Sequence, residues 1–163
     1  MQSAEEVIKS LGLEPLPVEG GFFKETYRSK TLAKAVMPHC AGTCIYYLMR
    51  GKGISAWHKV AADEIWLYHA GSAARQMLLF PDGSWTERLI GSNFANGEKP
   101  QSLIPAGTWQ AASLLDRSAE SWGLFGAVVV PGFEYEDFQE GCASTLSAAY
   151  PSALEKMREF GLR

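Results

Sequence analysis

The sequence predicts an all-β protein, a sandwich or a barrel, with a short helix at each end. About eight or nine apolar or alternating segments follow one another at intervals of about eight to twelve residues, with turn residues between them. Helical spacing of apolar residues is confined to the two ends of the chain. With 163 residues, the chain is expected to form one domain over residues 1–163.

The composition is that of a globular protein and disfavours several functional classes. Hydrophobic residues make up 47% and charged residues 20% of the chain, as in ordinary soluble domains. The net charge of -3 argues against a nucleic-acid partner, because phosphate binding needs a positive surface. No apolar run reaches the about 18 residues of a membrane span, and the N-terminus lacks the features of a secretory signal. The three cysteines have no metal-site spacing, so we expect free thiols in a cytoplasmic protein.

The N-terminal helix is predicted at about residues 3–11. Ser3 can cap this helix, and Val7 and Leu11 are separated by about one helical turn. Gly12 ends the pattern, because glycine is common just after a helix.

The barrel is predicted at about residues 20–140, and a C-terminal helix at about 145–161 with Ser152 as a cap. Pro81-Asp82-Gly83 marks a hairpin between two strands. In chain order, the predicted strands lie in FFKETYRSK, TCIYYLMR, ISAWHKV, EIWLYHAG, ARQMLLF, SWTERLIG, QSLIPAGTWQAASLL and SWGLFGAVVVPGF.

The segment SAWHKVAADEIWLYHAG, residues 55–71, contains two of the three histidines and two tryptophans. Alternation along a strand puts Glu64, Trp66 and Tyr68 on one face. On the preceding strand, His58 lies on the smaller and more apolar side. A histidine on an apolar face is most often a hydrogen-bonded core residue, so His58 alone does not decide between a pocket and a core. Aromatic neighbours would raise the pKa of Glu64 and a histidine would lower it. The sequence leaves that balance open.

The same segment resembles the first motif of the cupin superfamily. Gly53, His58, Glu64 and Gly71 match the motif's glycine, first histidine, glutamate and second glycine. Val60 stands where the motif has its second histidine.

SLIPAGTWQAA resembles the second cupin motif, P-x-G-x-x-H. Pro105 and Gly107 match its turn, and Gln110 replaces its histidine. With VEGGFFKETYRS, IYYLM and VVVPGFEYEDFQ, the resemblance runs from about Ala4 to Tyr150. It is to a small cupin-like family of unassigned function, cupin family five, whose barrel is similar to that of dTDP-sugar epimerases.

This resemblance implies a double-stranded β-helix, the cupin jelly roll, with a ligand site in the mouth of the barrel. His58, Glu64 and Gln110 would converge there, with His58 and Glu64 as the catalytic residues. Two of the four usual metal ligands are replaced, so no cofactor is predicted. A divalent metal on His58, Glu64 and Gln110 stays open as an alternative, although an amide oxygen is a weak ligand for zinc or iron.

Other polar and aromatic residues are expected around the mouth. Alternation separates Glu25 and Tyr27 on one face from Arg28 on the other. In the cavity, Arg28 would bind a carboxylate or phosphate. One of Tyr46 and Tyr47 must face inward. The expected ligand-binding residues are Glu25, Tyr27, Arg28, Tyr46, Trp57, Trp66, Tyr68 and Gln110, although core packing explains the tryptophans at least as well.

Two histidines are expected to lie outside the site. His39 is assigned to a solvated loop, and His69 is expected to be structural or interfacial because it alternates away from Glu64. The acidic and aromatic segment PGFEYEDFQEG is expected to close over the barrel, either as an edge cover or as a ligand contact.

We therefore expect a homodimeric cupin that binds a small polar metabolite, with no nucleic-acid or membrane partner. The first hypothesis is a metal-independent enzyme similar to sugar epimerases or isomerases. In it His58 is the base, a cavity tyrosine is the acid and Glu64 orients the histidine. The second is a non-catalytic ligand-binding module. The third is a metal-dependent cupin enzyme with a reduced ligand set.

Overall fold

Two antiparallel β-sheets form the body of the protein in the computed structural model, which describes residues 2–30 and 39–163. One sheet has the strand order β1-β2-β3-β10-β5-β8 and the other β11-β4-β9-β6-β7. The strands are β1 (Glu14–Pro15), β2 (Phe22–Arg28), β3 (Thr43–Arg50), β4 (Ile54–Val60), β5 (Asp63–Gly71), β6 (Ala74–Leu79), β7 (Trp85–Ile90), β8 (Gln101–Ile104), β9 (Trp109–Leu114), β10 (Trp122–Val130) and β11 (Phe138–Glu140).

This arrangement confirms the predicted all-β class and the jelly-roll architecture. Consecutive strands are repeatedly placed in opposite sheets, as when β3 is followed by β4 and β5 by β6. The predicted barrel range includes residues 31–38, which lie outside the described residues.

The main core lies between the two sheets. Its members come from inward-facing positions of both, because successive side chains of a strand point to opposite faces. The buried members are Tyr47, Met49, Trp66, Ala74, Leu78, Ile90, Ile104, Ala112, Leu114, Phe125 and Ala127.

The N-terminal helix α1 (Ala4–Leu11) covers part of the outer face of the six-stranded sheet. Its first turn is closed by a capping box, in which the Ser3 side chain accepts a hydrogen bond from the Glu6 amide and the Glu6 carboxylate accepts one from the Ser3 amide. Val7 of the helix packs with Leu13 and Leu48.

The C-terminal region forms two helices, α2 (Ala143–Ala149) and α3 (Leu154–Glu159), and not the single helix predicted. Pro151 begins a short 3-10 turn between them, because proline has no N–H to continue a helix. The predicted cap at Ser152 is wrong: Ala153 precedes α3, without a side-chain cap. Among residues 2–30 and 39–163, no helix is both long and apolar enough to cross a membrane.

Two β-bulges decide which side chains reach the interior. In β2, Glu25 pairs with Ile45 and Tyr27 pairs with Cys44, so Thr26 is an extra residue. In β4, the pairing jumps from Ser55 opposite Ala112 to His58 opposite Gln110. Each bulge shifts the alternation of the residues that follow it. Arg28 therefore joins the face of Glu25, and His58 faces the interior beside Gln110.

Candidate functional site

A cavity of about 130 Å³ opens at one end of the jelly roll. Both sheets contribute to it, together with the turn before β2 and the loop after β10. The lining residues are Leu16, Glu19, Phe23, Glu25, Arg28, Thr43, Ile45, His58, Val60, Glu64, Ala127, Val129, Phe133, Glu134 and Tyr135. The cavity thus combines apolar walls with several titratable groups.

Glu64 lies at the start of β5 and is only 7% exposed. Its Oε1 accepts a hydrogen bond from Trp66 Nε1 at 3.0 Å, and its Oε2 accepts one from Gln110 Nε2 at 2.5 Å. Burial raises the pKa of Glu64, whereas His58 and the bond from Gln110 oppose that rise. Burial therefore decides the balance that the sequence left open.

His58 is 3% exposed and faces the same cavity. Its Nδ1 lies 2.7 Å from the carbonyl oxygen of Ala56. Because a carbonyl only accepts, Nδ1 carries the hydrogen and the neutral ring has its lone pair on Nε2. Phe138 stacks on the ring with 5.5 Å between centroids. Burial lowers the pKa of His58, although Glu64 opposes this, so the imidazole is neutral at pH 7.

Glu19 is a third titratable group in the cavity, and the sequence reasoning missed it. Its Oε2 lies 3.6 Å from His58 Nε2. Burial raises the pKa of Glu19 to about 7, which makes its carboxyl group able to donate or accept a proton near neutral pH. His58 therefore interacts with two carboxyl groups that line the same cavity, Glu19 and Glu64.

The turn before β2 fixes the position of Glu19. Val18 has a φ of 67°, a strained conformation for a β-branched residue. Gly20 also has a positive φ, and a Cβ atom there would lie 2.9 Å from the carbonyl oxygen of Ile54. The Glu19 carbonyl accepts a hydrogen bond from the Ala56 amide at 2.8 Å. The signal in the sequence was PVEGG, where an acidic residue stands between a proline and two glycines.

Residues 133–138, here called the covering loop, lie over the mouth of the cavity. Arg28 Nη2 lies 3.0 Å from Glu25 Oε2, and Arg28 Nη1 lies 2.6 Å from Glu134 Oε1. Phe133 and Tyr135 complete this side of the lining. The arginine thus joins β2 to the covering loop, and its partners are carboxylates of the chain itself.

The prediction of a solvated His39 is wrong. His39 is 8% exposed, and its Nε2 lies 2.5 Å from Asp137 Oδ2 in the covering loop. This contact gives the loop a second attachment. His69 is exposed on the outer face of the six-stranded sheet, where its ring contacts the edge of Tyr46.

Six of the eight expected ligand-binding residues do not line the cavity: Tyr27, Tyr46, Trp57, Trp66, Tyr68 and Gln110. Tyr27 is 58% exposed because the bulge at Thr26 turns it away from the face of Glu25. Tyr46 points outward and packs near α1. Tyr47 is the inward residue of that pair, and its hydroxyl donates to the Gly20 carbonyl at 3.1 Å.

Trp57 and Tyr68 also lie outside the cavity lining. Trp57 packs with the C-terminal helices, and its Nε1 donates to the Met157 carbonyl at 3.4 Å. Tyr68 lies further along β5, and its hydroxyl donates to the Gly71 carbonyl at 2.7 Å. Each is held in place by its neighbours, away from the mouth.

Of the remaining predicted residues, His58, Glu64, Glu25 and Arg28 line the cavity. Trp66 and Gln110 are buried outside the lining and hold the Glu64 carboxylate. Their role is therefore to position Glu64.

Comparison with known proteins assigns the family. The family model described as "Cupin superfamily (DUF985)" matches residues 5–140. The chain belongs to this cupin family. The cupin resembles "Uncharacterized protein YML079W" of Saccharomyces cerevisiae, with 34% identity over 133 residues. That match covers 73% of this cupin and just under two thirds, 66%, of the yeast protein.

Solved structures resemble the cupin over its full length. Protein SO0799 from Shewanella oneidensis is 35% identical, with a TM-score of 0.87 and 98% of each chain covered. A hypothetical protein from Leishmania major is 27% identical, with a TM-score of 0.90 over 99% of this chain and 100% of that one. Oxalate decarboxylase from Bacillus subtilis is 14% identical, with a TM-score of 0.58 over 93% of this chain and 37% of that chain. At that identity the decarboxylase shares the fold alone.

Cupins can hold a metal in the barrel mouth, but the residues present here do not fit one. In the part of the chain that the structure describes, no group of three or more His, Cys, Asp or Glu side chains is arranged to bind a metal ion. The site offers one imidazole, and both oxygens of Glu64 accept N–H hydrogen bonds. Gln110 turns its amide N–H towards Glu64, and its buried Oε1 has no partner.

Glu19→Gln should make stability less dependent on pH. The ordinary pKa of a glutamate is 4.5, and burial raises that of Glu19 to about 7. The folded protein thus holds this proton more tightly than the unfolded chain, so wild-type stability falls as pH rises from about 4.5 through about 7. The variant lacks this penalty. We expect it to be more stable than wild type at pH 8, by at most about 3 kcal/mol, and similar at pH 4.

Urea unfolding at pH 4 and pH 8 measures this effect. Glu155→Gln, on the exposed surface of α3, is the matched control and should change stability by less than about 0.5 kcal/mol. A Glu19→Gln variant that gains nothing at pH 8 relative to pH 4 would show that Glu19 is not held in a desolvated position.

Proposed function

We propose that this cupin is a metal-independent proton-transfer enzyme, similar in chemistry to epimerases and isomerases, that acts on a small polar metabolite in the cavity. The observation that supports this proposal most strongly is the position of His58 Nε2. This nitrogen carries the lone pair of a neutral imidazole that lines the cavity, lies 3.6 Å from Glu19 Oε2, and belongs to a ring that interacts electrostatically with Glu64. A neutral histidine in such a position is suited to act as a general base.

The reaction transfers a proton from a carbon atom next to a carbonyl group. His58 Nε2 takes the proton, and the electrons of the broken C–H bond form the C=C bond of an enol. The carbonyl oxygen receives a proton from Glu19, whose pKa of about 7 allows it to be protonated near neutral pH. In an epimerisation, a proton returns to the opposite face of the same carbon and the enol hydroxyl gives its proton back to Glu19. In an isomerisation, the substrate carries a hydroxyl on the first carbon; the proton returns to the former carbonyl carbon, and that hydroxyl loses its proton to become the new carbonyl.

Glu19 suits the role of acid better than a tyrosine does. Tyr135, the tyrosine of the described lining, is 72% exposed at the rim. Tyr47 is buried, its hydroxyl already donates to the Gly20 carbonyl, and burial raises its pKa. Glu64 does not orient the ring, because the Ala56 carbonyl holds Nδ1. In its ionised form Glu64 stabilises the imidazolium that forms when His58 takes a proton.

We also propose that the protein is a homodimer in which two copies pack through the outer faces of their six-stranded sheets. The strand register aligns Tyr27, Cys44, Val128, Ile65 and Leu103 in one row across five strands. Adjacent strands are about 4.8 Å apart, so the row is about 19 Å long. Tyr27 is 58% and Leu103 49% exposed. A continuous apolar row on the part of this face that α1 does not cover favours burial against a second copy.

Leu103→Lys should convert the dimer to a monomer, because it places a charge in the apolar row. Light scattering should give about twice the 17.9 kDa chain mass for wild type and the chain mass for the variant. Phe94→Lys, at an apolar residue that is 70% exposed elsewhere, is the control and should stay dimeric. A wild-type protein that is monomeric at micromolar concentration contradicts this proposal.

His58→Asn should abolish catalysed exchange of carbon-bound hydrogen. Small aldehydes and ketones that raise the melting temperature of the protein are incubated with it in D2O, and proton NMR follows loss of the α-hydrogen signal. Removing a general base typically slows a reaction about 100- to 10,000-fold. His69→Asn makes the same change on the outer face, away from the cavity, and should retain the wild-type rate.

Three results of this experiment separate the alternatives. Compounds that bind without any exchange, across a broad panel, indicate a ligand-binding module. Exchange that is lost on chelation and restored by a divalent cation contradicts a metal-independent mechanism. Exchange that survives His58→Asn contradicts the role given to that histidine.

A further inference from the structure

We propose that the cavity takes a small organic cation, an α-amino ketone or α-amino aldehyde in its protonated form, and not an anionic nucleotide sugar. This inference rests on the proposed function and names the substrate class of the same site. It is carried by the charges that line the cavity, by the volume of the cavity and by the free nitrogen of His58.

The charges of the described lining are strongly biased. Four of the lining residues are glutamates, Glu19, Glu25, Glu64 and Glu134, and the lining contains one arginine, Arg28. The guanidinium of Arg28 already contacts Glu25 and Glu134 and also donates to the Phe133 carbonyl. Its donors are therefore engaged at the rim and are not free to bind an anionic substrate.

The inner part of the cavity has carboxyl groups and no cationic side chain among the described lining residues. Glu19 and Glu64 both interact with His58, which is neutral at pH 7. Glu19, whose pKa is about 7, is partly ionised near neutral pH. Its ionised form and that of Glu64 would attract a protonated amine and repel an anion. An ammonium group would also compensate part of the cost of burying these carboxylates.

A further observation points to a ligand and not merely to an acidic surface. Only 3% of the surface of His58 is exposed to solvent. His58 lines the cavity, and its unprotonated Nε2 lies 3.6 Å from Glu19 Oε2, beyond hydrogen-bond distance. The lone pair of Nε2 can therefore accept a hydrogen bond from a donor group of a ligand in the cavity.

The volume limits the size of the ligand. An engineered cavity of about 150 Å³ in another protein accommodates benzene, which has six non-hydrogen atoms. The present cavity of about 130 Å³ is similar. A nucleotide sugar is several times larger than that. The apolar lining residues Val60, Ile45 and Val129 suit the short carbon skeleton of a small amino ketone.

The proposed reaction then determines which functional group the ligand carries besides its amine. Transfer of a proton from carbon by His58 requires a carbonyl next to that carbon, since the carbonyl stabilises the electron pair left behind. A protonated amine on the same carbon makes its hydrogen more acidic. An α-amino carbonyl compound therefore satisfies both the charge of the cavity and the reaction.

Three size-matched probes test the inference. Aminoacetone is the cation, hydroxyacetone is the neutral analogue and pyruvate is the anion. Binding to the wild-type protein at pH 7 is measured by chemical-shift changes in NMR spectra of the backbone amides. We expect the dissociation constant of aminoacetone to be at least about tenfold lower than that of hydroxyacetone, and pyruvate to bind more weakly than either.

Glu19→Gln should raise the dissociation constant of aminoacetone about tenfold and change that of hydroxyacetone by less than about threefold. Glu155→Gln on the outer surface of α3 is the matched control and should change neither. Aminoacetone that binds no better than hydroxyacetone, including the case in which none of the three binds, overturns the inference.

The same samples in D2O keep this inference separate from the proposed function. Preferential binding of aminoacetone without hydrogen exchange at carbon supports the ligand class and counts against the proposed enzyme. Catalysed exchange of hydroxyacetone without any preference for aminoacetone supports the enzyme and overturns the ligand class.

Discussion

Burial of three titratable side chains in one cavity is the constraint on which the rest of the site depends. Glu64, His58 and Glu19 are withdrawn from water at the end of a largely apolar interior. A buried charge without partners costs several kcal/mol. The neighbours of the site reduce this cost: Gln110 and Trp66 donate to Glu64, and the Ala56 carbonyl fixes the ring of His58. The result is a neutral histidine, with an unprotonated Nε2, that interacts with two carboxyl groups.

The burial of these three side chains also explains features of the fold outside the site itself. The bulge in β4 turns His58 inward opposite Gln110, and the strained turn at Val18 brings Glu19 to the same point. Arg28 and His39 attach the covering loop through Glu134 and Asp137, which shields the cavity from bulk water. Lower water access strengthens the interactions among the three titratable groups.

The sequence predicted the fold class and the pairing of His58 with Glu64, because strand spacing and two family motifs are local features. It failed where geometry depends on the partner strand. Simple alternation placed Tyr27 with Glu25 and Arg28 opposite, and one extra residue in β2 reversed this. Trp57 and Tyr46 could be assigned to a face only once the helices covering that face were known. Glu19 was not predicted because it lies in a turn, where no strand or helix periodicity indicates the direction of a side chain.

The tautomer of His58 is the most direct test of this site. Nitrogen-15 NMR of the histidine side chains at pH 7, with His58→Asn used to assign the signal, distinguishes the two ring nitrogens. The geometry predicts a neutral ring with the hydrogen on Nδ1 and an unprotonated Nε2 facing Glu19. A hydrogen on Nε2 alone, or a doubly protonated ring at pH 7, would contradict the assignment of His58 as the base.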